Sequence, residues 1–377
     1  MRRVACEPRP DWRRRVEEVG LVFHTGEGGR PYWNESAYYE FTAAEIDRFE
    51  TATYALNDLC LKAVQHILDN NLLEQFQVPR ELAGWVRRSW EVDEHSIYGR
   101  FDLLFDGVQP PKLIEYNADT PTALLEAAVV QWHWLKDVAP AADQFNSLHE
   151  RLIEAWQRLH QGRPAPVTFA SVEGHVEDYV TVNYLRDTAT QAGVMSQYLT
   201  MRQLGWHPTR RVFTDLKERE LACVFKLYPW EWMFREPFAA HLAEGRTRWL
   251  EPPWKVLLSN KALLPLLWEL FPDHPNLVRA SWQPLGGRQV RKPTQGREGA
   301  NVAILDGSTV IAETGGDYGQ APVIYQEYFE TPRFDGRAAV LGSWLVNGYA
   351  CGLGIREDEH AITTNTSRFV PHLFRPA

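Results

Sequence analysis

The stretch from Tyr98 to Thr122, YGRFDLLFDGVQPPKLIEYNADTPT, constrains this chain more than any other segment. Its runs 98–105 and 112–116 are largely apolar and aromatic, which is typical of short β-strands. Between them lie four residues that favour turns, namely Asp106, Gly107, Pro110 and Pro111. The segment therefore predicts a β-hairpin around which the other functional residues are arranged.

Both predicted strands carry polar side chains at alternate positions. Because side chains alternate across a strand, Arg100 and Asp102 share one face, and Glu115 and Asn117 share another. Two carboxylates and an amide oxygen are hard ligands suited to Mg²⁺, and an arginine beside them suits a phosphoryl group. A partly buried salt bridge within a hairpin is the alternative interpretation of the same residues.

The composition limits the partners and surroundings of the chain. A formal net charge of −9 disfavours non-specific binding to nucleic acid, which requires a basic surface. The four cysteines are scattered without a CxxC pair, which favours a reduced, cytoplasmic setting. We expect no membrane segment, since no apolar run is long enough to span a bilayer.

The 15 tryptophans leave two interpretations open. Aromatic side chains fill cores and interfaces in most proteins. They also line glycan-binding grooves, so a glycan-binding protein is one of three functional hypotheses for this chain. The predicted reduced cysteines and the lack of a signal peptide at the N-terminus count against it.

Capping signals predict where several helices begin. Thr42 precedes an apolar pattern of helical spacing, and Glu45 follows three residues later, which makes a capping box. After the hairpin, Pro121 is predicted to begin a helix with Thr120 as its N-cap. Two further helices are predicted over 78–90 and 142–160.

Alternating strand and helix patterns predict a parallel α/β lobe over about 165–235. Its elements are a helix over 173–192 and strands over 167–171, 196–200, 211–214 and 221–226. Small molecules often bind at the carboxyl ends of such strands, here the loop 172–175. Glu177 and Asp178, at the helix start, either complement the helix dipole or hold an ammonium group.

A second group of polar residues follows in the later part of the chain. Lys261 lies just after a Ser-Asn cap, and Lys292 ends a predicted strand. The loop that follows contains Gly296, Arg297 and Gly299, and its backbone N–H groups suit phosphate oxygens. The segment 323–332 is predicted to be a strand that breaks into a polar connector. Together these features fit the binding of ATP between two sheets, although no GxxxxGK[ST] motif and no kinase motif set is present.

With these features the chain resembles the glutathionylspermidine synthase-like ATP-grasp ligases. The resemblance extends from about Arg30 to Phe374. The motifs that carry it occur in order along the chain as YGRFDLLFDG, LIEYNADTPT, SNKALLPLLWELFP, VRKPTQGREGANV, IYQEYF and GYACGLGIRED.

The resemblance implies a role for each matched residue. The implied ligands of Mg²⁺, with two ions expected, are Asp102, Glu115 and Asn117. The arginines implied to stabilise the transferring phosphoryl group are Arg100 and Arg356. The implied ATP-binding residues are Arg100, Asp102, Lys261, Lys292, the loop residues Gly296, Arg297 and Gly299, and the adenine-facing Gln326, Glu327, Tyr328 and Phe329. The implied substrate-binding residues are Thr120 and Thr122 for the acid, and Glu177 and Asp178 for the amine.

The implied reaction is ADP-forming amide synthesis through an acyl phosphate. The substrates would be a small-molecule carboxylate, with a peptide as one option, and an amine, with a polyamine as one option. Leu227 stands about where the family has a threonine that contacts the thiol peptide, so glutathione and spermidine are not implied. A regulatory homologue that binds Mg-ATP without ligating is the second hypothesis.

The implied fold is α+β or α/β: an ATP-grasp core with an associated parallel α/β, pre-ATP-grasp-like lobe. We expect residues 1–377 to form a single synthetase-type unit with an ATP-grasp lid lobe over about 255–335. We expect no amidase domain like that of the bifunctional family members. The sequence does not predict an oligomeric state.

Overall fold

The computed structural model describes residues 1–161, 165–330, 332–364 and 367–375 of the chain. The described strands are β1 Arg2–Ala5, β2 Ala37–Thr42, β3 Tyr98–Leu104, β4 Lys112–Asn117, β5 Val167–Ser171, β6 Ser196–Thr200, β7 Gly205–His207, β8 Val212–Thr214, β9 Cys223–Leu227, β10 Arg248–Leu250, β11 Ala280–Ser281, β12 Arg288–Pro293, β13 Ala303–Asp306, β14 Thr309–Glu313, β15 Val323–Glu327, β16 Arg333–Phe334, β17 Arg337–Val346, β18 Tyr349–Asp358, β19 Arg368–Val370 and β20 His372–Arg375.

The described α-helices are α1 Trp12–Glu18, α2 Ala43–Asp69, α3 Arg80–Glu91, α4 Gln131–Val138, α5 Leu148–His160, α6 Val176–Gln191, α7 Trp230–Met233, α8 Ala239–Leu242, α9 Val256–Ser259 and α10 Leu263–Leu270. A π-helical turn, Glu126–Val130, leads into α4. None of the described helices is both long and apolar enough to cross a membrane.

Three sheets determine the architecture of the described residues. The central sheet is antiparallel, with the order β19-β18-β17-β3-β4 and β16 paired to β17. The lid sheet is also antiparallel, with the order β11-β15-β12-β13-β14. The parallel sheet has the order β10-β9-β5-β6. Two smaller sheets, β1-β2-β20 and β7-β8, complete the fold.

The predicted hairpin is confirmed as β3 and β4. Its alternation separates two environments. Phe101 and Leu103 enter the main hydrophobic core together with the apolar face of α2. Arg100 and Asp102 therefore point to the other face of the central sheet, toward the predicted site.

The predicted capping box is also confirmed. The Thr42 hydroxyl accepts from the backbone N–H of Glu45, and the Glu45 carboxylate accepts from the backbone N–H of Thr42. These bonds satisfy two groups that would otherwise lack partners at the start of α2. The helix then buries its apolar face against β17 and β18 of the central sheet.

The prediction of a helix starting at Pro121 is wrong. Residues 120–123 are non-helical, and Ala123 has a φ of 62°. The carbonyls of this segment are instead used by side chains of β3, because the Tyr98 hydroxyl donates to Pro121 O and Arg100 Nη1 donates to Thr122 O. Tertiary hydrogen bonds thus override the local capping signal.

The helix predicted over 142–160 begins only at Leu148. The backbone of Asp143 exchanges two hydrogen bonds with Phe374, and the N–H of Ser147 donates to Cys351 O. Because these backbone groups pair with strands, they are not available to a helix. Of the strands predicted over 165–235, β5, β6 and β9 form a parallel sheet, which β10 joins from beyond residue 235. The strand predicted over 211–214 is β8, which instead pairs antiparallel with β7.

Candidate active site

A cavity of about 300 Å³ lies where the central sheet, the lid sheet and the carboxyl ends of β5 and β9 meet. The loop after β5 contributes Val172 and His175 to the wall of this cavity. Every site residue predicted above lines this one cavity: Arg100, Asp102, Glu115, Asn117, Thr120, Thr122, Glu177, Asp178, Lys261, Lys292, Gly296, Arg297, Gly299, Gln326, Glu327, Tyr328, Phe329 and Arg356.

Asp102 is the centre of a buried charge network on the central sheet. Arg100 Nε donates to Oδ1 at 2.6 Å and Nη2 donates to Oδ2 at 3.1 Å, while Arg356 Nη2 reaches Oδ2 at 3.3 Å. Burial alone would raise the pKa of the Asp102 carboxyl, but the two guanidinium groups outweigh burial and hold that pKa below its usual range. Asp102 therefore stays ionised.

The strand register completes the hairpin part of the site. Asp102 is opposite Glu115, and Arg100 is opposite Asn117, so all four side chains meet on one face. The Asn117 Nδ2 group donates to Asp102 Oδ2 at 3.1 Å. This leaves the Asn117 carbonyl oxygen as the atom that would bind a metal.

Two lysines from the later part of the chain reach the hairpin. Lys261 Nζ donates to Glu115 Oε1 at 2.7 Å and to Gly296 O at 2.5 Å. Lys292 Nζ donates to the carbonyl of Ile114 at 2.9 Å and to the amide oxygen of Gln326 at 2.8 Å. Burial lowers the pKa of the Lys292 ammonium to about 8.

The donor set on the hairpin fits a magnesium ion. Asp102, Glu115 and Asn117 offer two carboxylates and one amide oxygen, and Mg²⁺ is usually held by one or two carboxylates with water and phosphate as further ligands. Among the described residues, no group of three or more His, Cys, Asp and Glu side chains could hold a metal ion.

Gln326 lies in a strand, whereas the sequence predicted it in the connector that follows the strand. Both Gln326 and Glu327 belong to β15 rather than to the connector, and the Nε2 group of Gln326 donates to Leu113 O at 3.0 Å. Its amide oxygen accepts from Lys292. Gln326 therefore links the lid sheet to the hairpin and orients Lys292, while Tyr328 and Phe329 follow β15 in the connector.

Two glycines shape the loop between β12 and β13. A Cβ atom at Gly296 would lie 2.4 Å from Pro293 Cγ, and one at Gly299 would lie 2.3 Å from Thr363 O. Gly299 also has a φ of +72°, which disfavours other residues. The loop is thus packed directly against the backbone near residue 363.

We expect Gly299→Ala to release this loop. The added methyl group clashes with Thr363 O and strains the backbone, so the docked loop should lose about 1.4 kcal/mol or more. Trypsin cleavage after Arg297, followed by mass spectrometry, should then be about tenfold faster. Gly307→Ala is the control, because Gly307 has a φ of +59° but open space around it. Equal cleavage in the two variants would contradict close packing at Gly299.

The opposite wall of the cavity is acidic. Glu177 and Asp178 lie in the first turn of α6, where neither forms a side-chain cap. Burial raises the pKa of the Glu177 carboxyl, although a hydrogen bond from Thr122 opposes this. Burial and the neighbouring Glu177 raise the pKa of Asp178 to about 6. The position at a helix N-terminus agrees with the first interpretation, in which the carboxylates complement the helix dipole. The position inside the cavity agrees with the second, in which they hold an ammonium group.

The comparisons with known proteins agree with this architecture. A sequence model of the family described as "Glutathionylspermidine synthase preATP-grasp" matches residues 3–375. The chain belongs to the glutathionylspermidine synthase family. A Haemophilus influenzae relative named "Putative acid--amine ligase" is 40% identical, with 100% of both chains covered.

Other members of the glutathionylspermidine synthase family are longer than the matched region. The trypanothione synthetase of Crithidia fasciculata is 30% identical over 83% of this chain and 53% of its own length. The bifunctional glutathionylspermidine synthetase/amidase of Escherichia coli is 28% identical over 90% of this chain and 60% of its own. This chain thus spans about half to three-fifths of these two relatives.

The fold is shared more widely than the sequence. A glutathione synthetase-like effector from Globodera pallida, solved in its apo form, aligns with a TM-score of 0.58 at 10% sequence identity. The alignment covers 89% of each chain. At this identity the likeness concerns the fold alone, a mixed α/β architecture of the glutathione synthetase type.

This family member contains a buried ion pair that the sequence did not predict. Asp119 accepts from Lys226 Nζ at 2.7 Å and from the backbone N–H of Trp230 at 2.9 Å. The Lys226 ammonium also lies 4.1 Å from the centre of the Trp230 ring. The pair fixes the end of β4 to the end of β9, beside Thr120. Asp119 is part of the NADT motif, but nothing local indicates its partner 107 positions away.

Glu126 is a second residue that the sequence did not predict; it is 1% exposed and begins the π-helical turn. Its carboxylate accepts from the Tyr32 hydroxyl at 2.6 Å. Burial, with a contribution from Glu177, raises its pKa to about 7. The sequence signal that could have identified Glu126 is the presence of an acidic residue within an apolar helical run.

Proposed function

We propose that this family member is an ATP-dependent acid–amine ligase that forms an amide through an acyl phosphate and releases ADP and phosphate. One observation carries the proposal. Lys261 of the later part of the chain contacts Glu115 of the hairpin at 2.7 Å, so cationic and anionic groups suited to one Mg-nucleotide meet in a single cavity. The names of its relatives, ligases and synthetases, support the same reaction class.

Different residues would contact different parts of the nucleotide. Lys261 and Lys292 would neutralise the phosphates, and the backbone of the loop 296–299 would cover them. The connector residues after β15, Tyr328 and Phe329, would face the adenine. Asp102, Glu115 and Asn117 would hold two Mg²⁺ ions, which neutralise the phosphate charge and orient the γ-phosphoryl group.

The first chemical step needs positioning and charge neutralisation rather than a protein nucleophile. A carboxylate oxygen of the acid attacks the γ-phosphorus, the bond to the β–γ bridging oxygen breaks, and ADP leaves with the electron pair. Arg100 and Arg356 stabilise the charge on the equatorial phosphoryl oxygens. Arg100 is well oriented for this, because Asp102 and the Thr122 carbonyl hold three of its nitrogens.

In the second step the neutral amine attacks the acyl carbon, and phosphate leaves as the amide forms. Thr120 and Thr122 would orient the acid, and Glu177 and Asp178 would bind the amine in its ammonium form. The ammonium loses one proton before the attack and a second as the amide forms, and the carboxylates of Glu177 and Asp178 can accept them. A pKa of about 6, as in Asp178, suits this role. The docked loop would keep water from the acyl phosphate.

We expect the pH profile to report Lys292. The Lys292 amine binds phosphate only in its charged ammonium form, and the pKa of this group in the free protein is about 8. As the pH rises through 8 the charge is lost, so kcat/KM for ATP should fall about tenfold per pH unit above that value. In Lys292→Arg the fall should move beyond pH 10, since a guanidinium stays charged. An unchanged profile in the arginine variant would exclude Lys292 as its origin.

The ligase proposal is tested by a screen for ADP release with purified protein, Mg-ATP and pairs drawn from peptides, amino acids and polyamines. Mass spectrometry should detect a new amide whose mass equals acid plus amine minus water. ADP release that requires both substrates supports the proposal. Calorimetric binding of Mg-ATP without ADP or amide from any pair would instead favour the regulatory hypothesis.

A further inference from the structure

The loop over the cavity contains an unusual glutamate. The backbone N–H of Ala300 donates to Arg297 O at 2.8 Å, which closes a turn with Glu298 and Gly299 at its centre. Both central residues have positive φ, 52° and 72°, as in a type I′ turn. Glycine, asparagine and aspartate favour such positions, whereas glutamate is strained there. Turn formation does not explain the glutamate.

Neighbouring contacts hold this turn over the cavity. The Arg297 guanidinium lies 3.9 Å from Glu231 Oε1 and 5.7 Å from the centre of the Trp232 ring. On the other side, Gly299 is packed against Thr363 O. Glu298 lies between these two contacts in the chain and lines the cavity.

Glu298 faces the acidic wall formed by α6. Glu177 and Asp178 line the same cavity, and the negative charge of Glu298 adds to burial in raising the pKa of both carboxyls. His175, Arg297, Arg100 and Arg356 act on these carboxyls in the opposite direction. Three carboxylates from a lid and a helix repel each other unless a cation lies between them.

We propose that Glu298 is a specificity-determining residue for the amine substrate, which it binds together with Glu177 and Asp178. The inference rests on the proposed ligase function and extends it, because recognition of the amine is then shared between α6 and the lid turn. A bound ammonium group replaces repulsion across the cavity by attraction. Occupation by the amine therefore favours the docked turn.

The test compares four proteins: wild type, Glu298→Gln, Glu298→Gly and Glu313→Gln. Calorimetry measures the binding of 1,4-diaminobutane and of spermidine to each protein loaded with Mg²⁺ and a non-hydrolysable ATP analogue. Glu298→Gln removes the charge at nearly constant shape. Glu298→Gly removes the charge and the backbone strain together. Glu313→Gln is the matched control, because Glu313 is exposed on β14 of the same sheet, outside the cavity.

We expect both Glu298 variants to bind the amines about fivefold more weakly, as for the loss of one partly exposed ion pair. Glu313→Gln should bind as the wild type does. The Tm of Glu298→Gly should not fall, which separates binding from folding. Equal affinities in wild type and Glu298→Gln would overturn the inference, and so would a wild type that binds neither amine. Glu298-dependent binding without amide formation would count against the ligase proposal alone.

Discussion

Asp102→Asn is expected to abolish ADP formation and to destabilise the fold at the same time. The substitution removes a proposed metal ligand, so turnover should fall by about 10³-fold or more. It also leaves the buried Arg100 without its bidentate anion and Arg356 without its partner. Breaking a buried ion pair on one side typically costs about 3 kcal/mol or more of the free energy of unfolding.

Glu115→Gln is the matched comparison for Asp102→Asn. Glu115 is a proposed metal ligand too, but its side chain is 27% exposed, and Lys261, its partner, keeps a bond to Gly296 O. We expect a similar loss of ADP formation with a loss of unfolding free energy below about 1 kcal/mol. Urea denaturation and ADP release measure the two quantities. Equal stability of the two variants would contradict the structural role of Asp102.

Lys292→Met should remove activity while it stabilises the protein. The ammonium is buried, and its hydrogen bonds go to a carbonyl and an amide oxygen rather than to a carboxylate. We expect ADP formation to fall by about 10³-fold, because the phosphates lose a preorganised charge. Methionine has a similar length and needs no solvation, so replacing the buried charge should favour folding.

The sign and the pH range of this stabilisation follow from the pKa of Lys292. The pKa of Lys292 is 10.5 in the unfolded chain and about 8 in the folded protein. Between these two values the unfolded state binds the proton more readily, so the native state loses stability as the pH falls from 10.5 to 8. The gain in free energy of unfolding of Lys292→Met over the wild type should grow as the pH falls from 10.5 to 8 and stay constant below pH 8, at up to about 3 kcal/mol. Denaturation of both proteins at pH 7 and at pH 10 measures this difference.

Lys261→Met provides the contrast. Lys261 forms an ion pair with Glu115, so its removal should reduce activity without making the protein more stable. If Lys261→Met and Lys292→Met were stabilised equally at pH 7, the difference between their environments would be refuted. If Lys292→Met retained full activity, the assignment of the phosphate site would be wrong.

Local signals predicted the elements that depend on neighbouring residues. The alternation in 98–105 and 112–116 and the turn between them gave the hairpin, and Thr42 with Glu45 gave the start of α2. The same kind of signal failed at Pro121, where Tyr98 and Arg100 take the carbonyls that a helix would use. Capping propensities of about 1 kcal/mol are easily outweighed by such buried hydrogen bonds.

The composition of the candidate site can be predicted from residue types and motif order alone: carboxylates and an amide on the hairpin, then lysines and a glycine loop later in the chain. Which charged groups lie close to one another depends on the three-dimensional fold. Arg356 reaches Asp102 across 254 positions, Lys226 pairs with Asp119 across 107, and Glu298 faces α6 across the cavity. Partners this distant leave no periodic trace in the sequence, since their contact depends on how three sheets pack together.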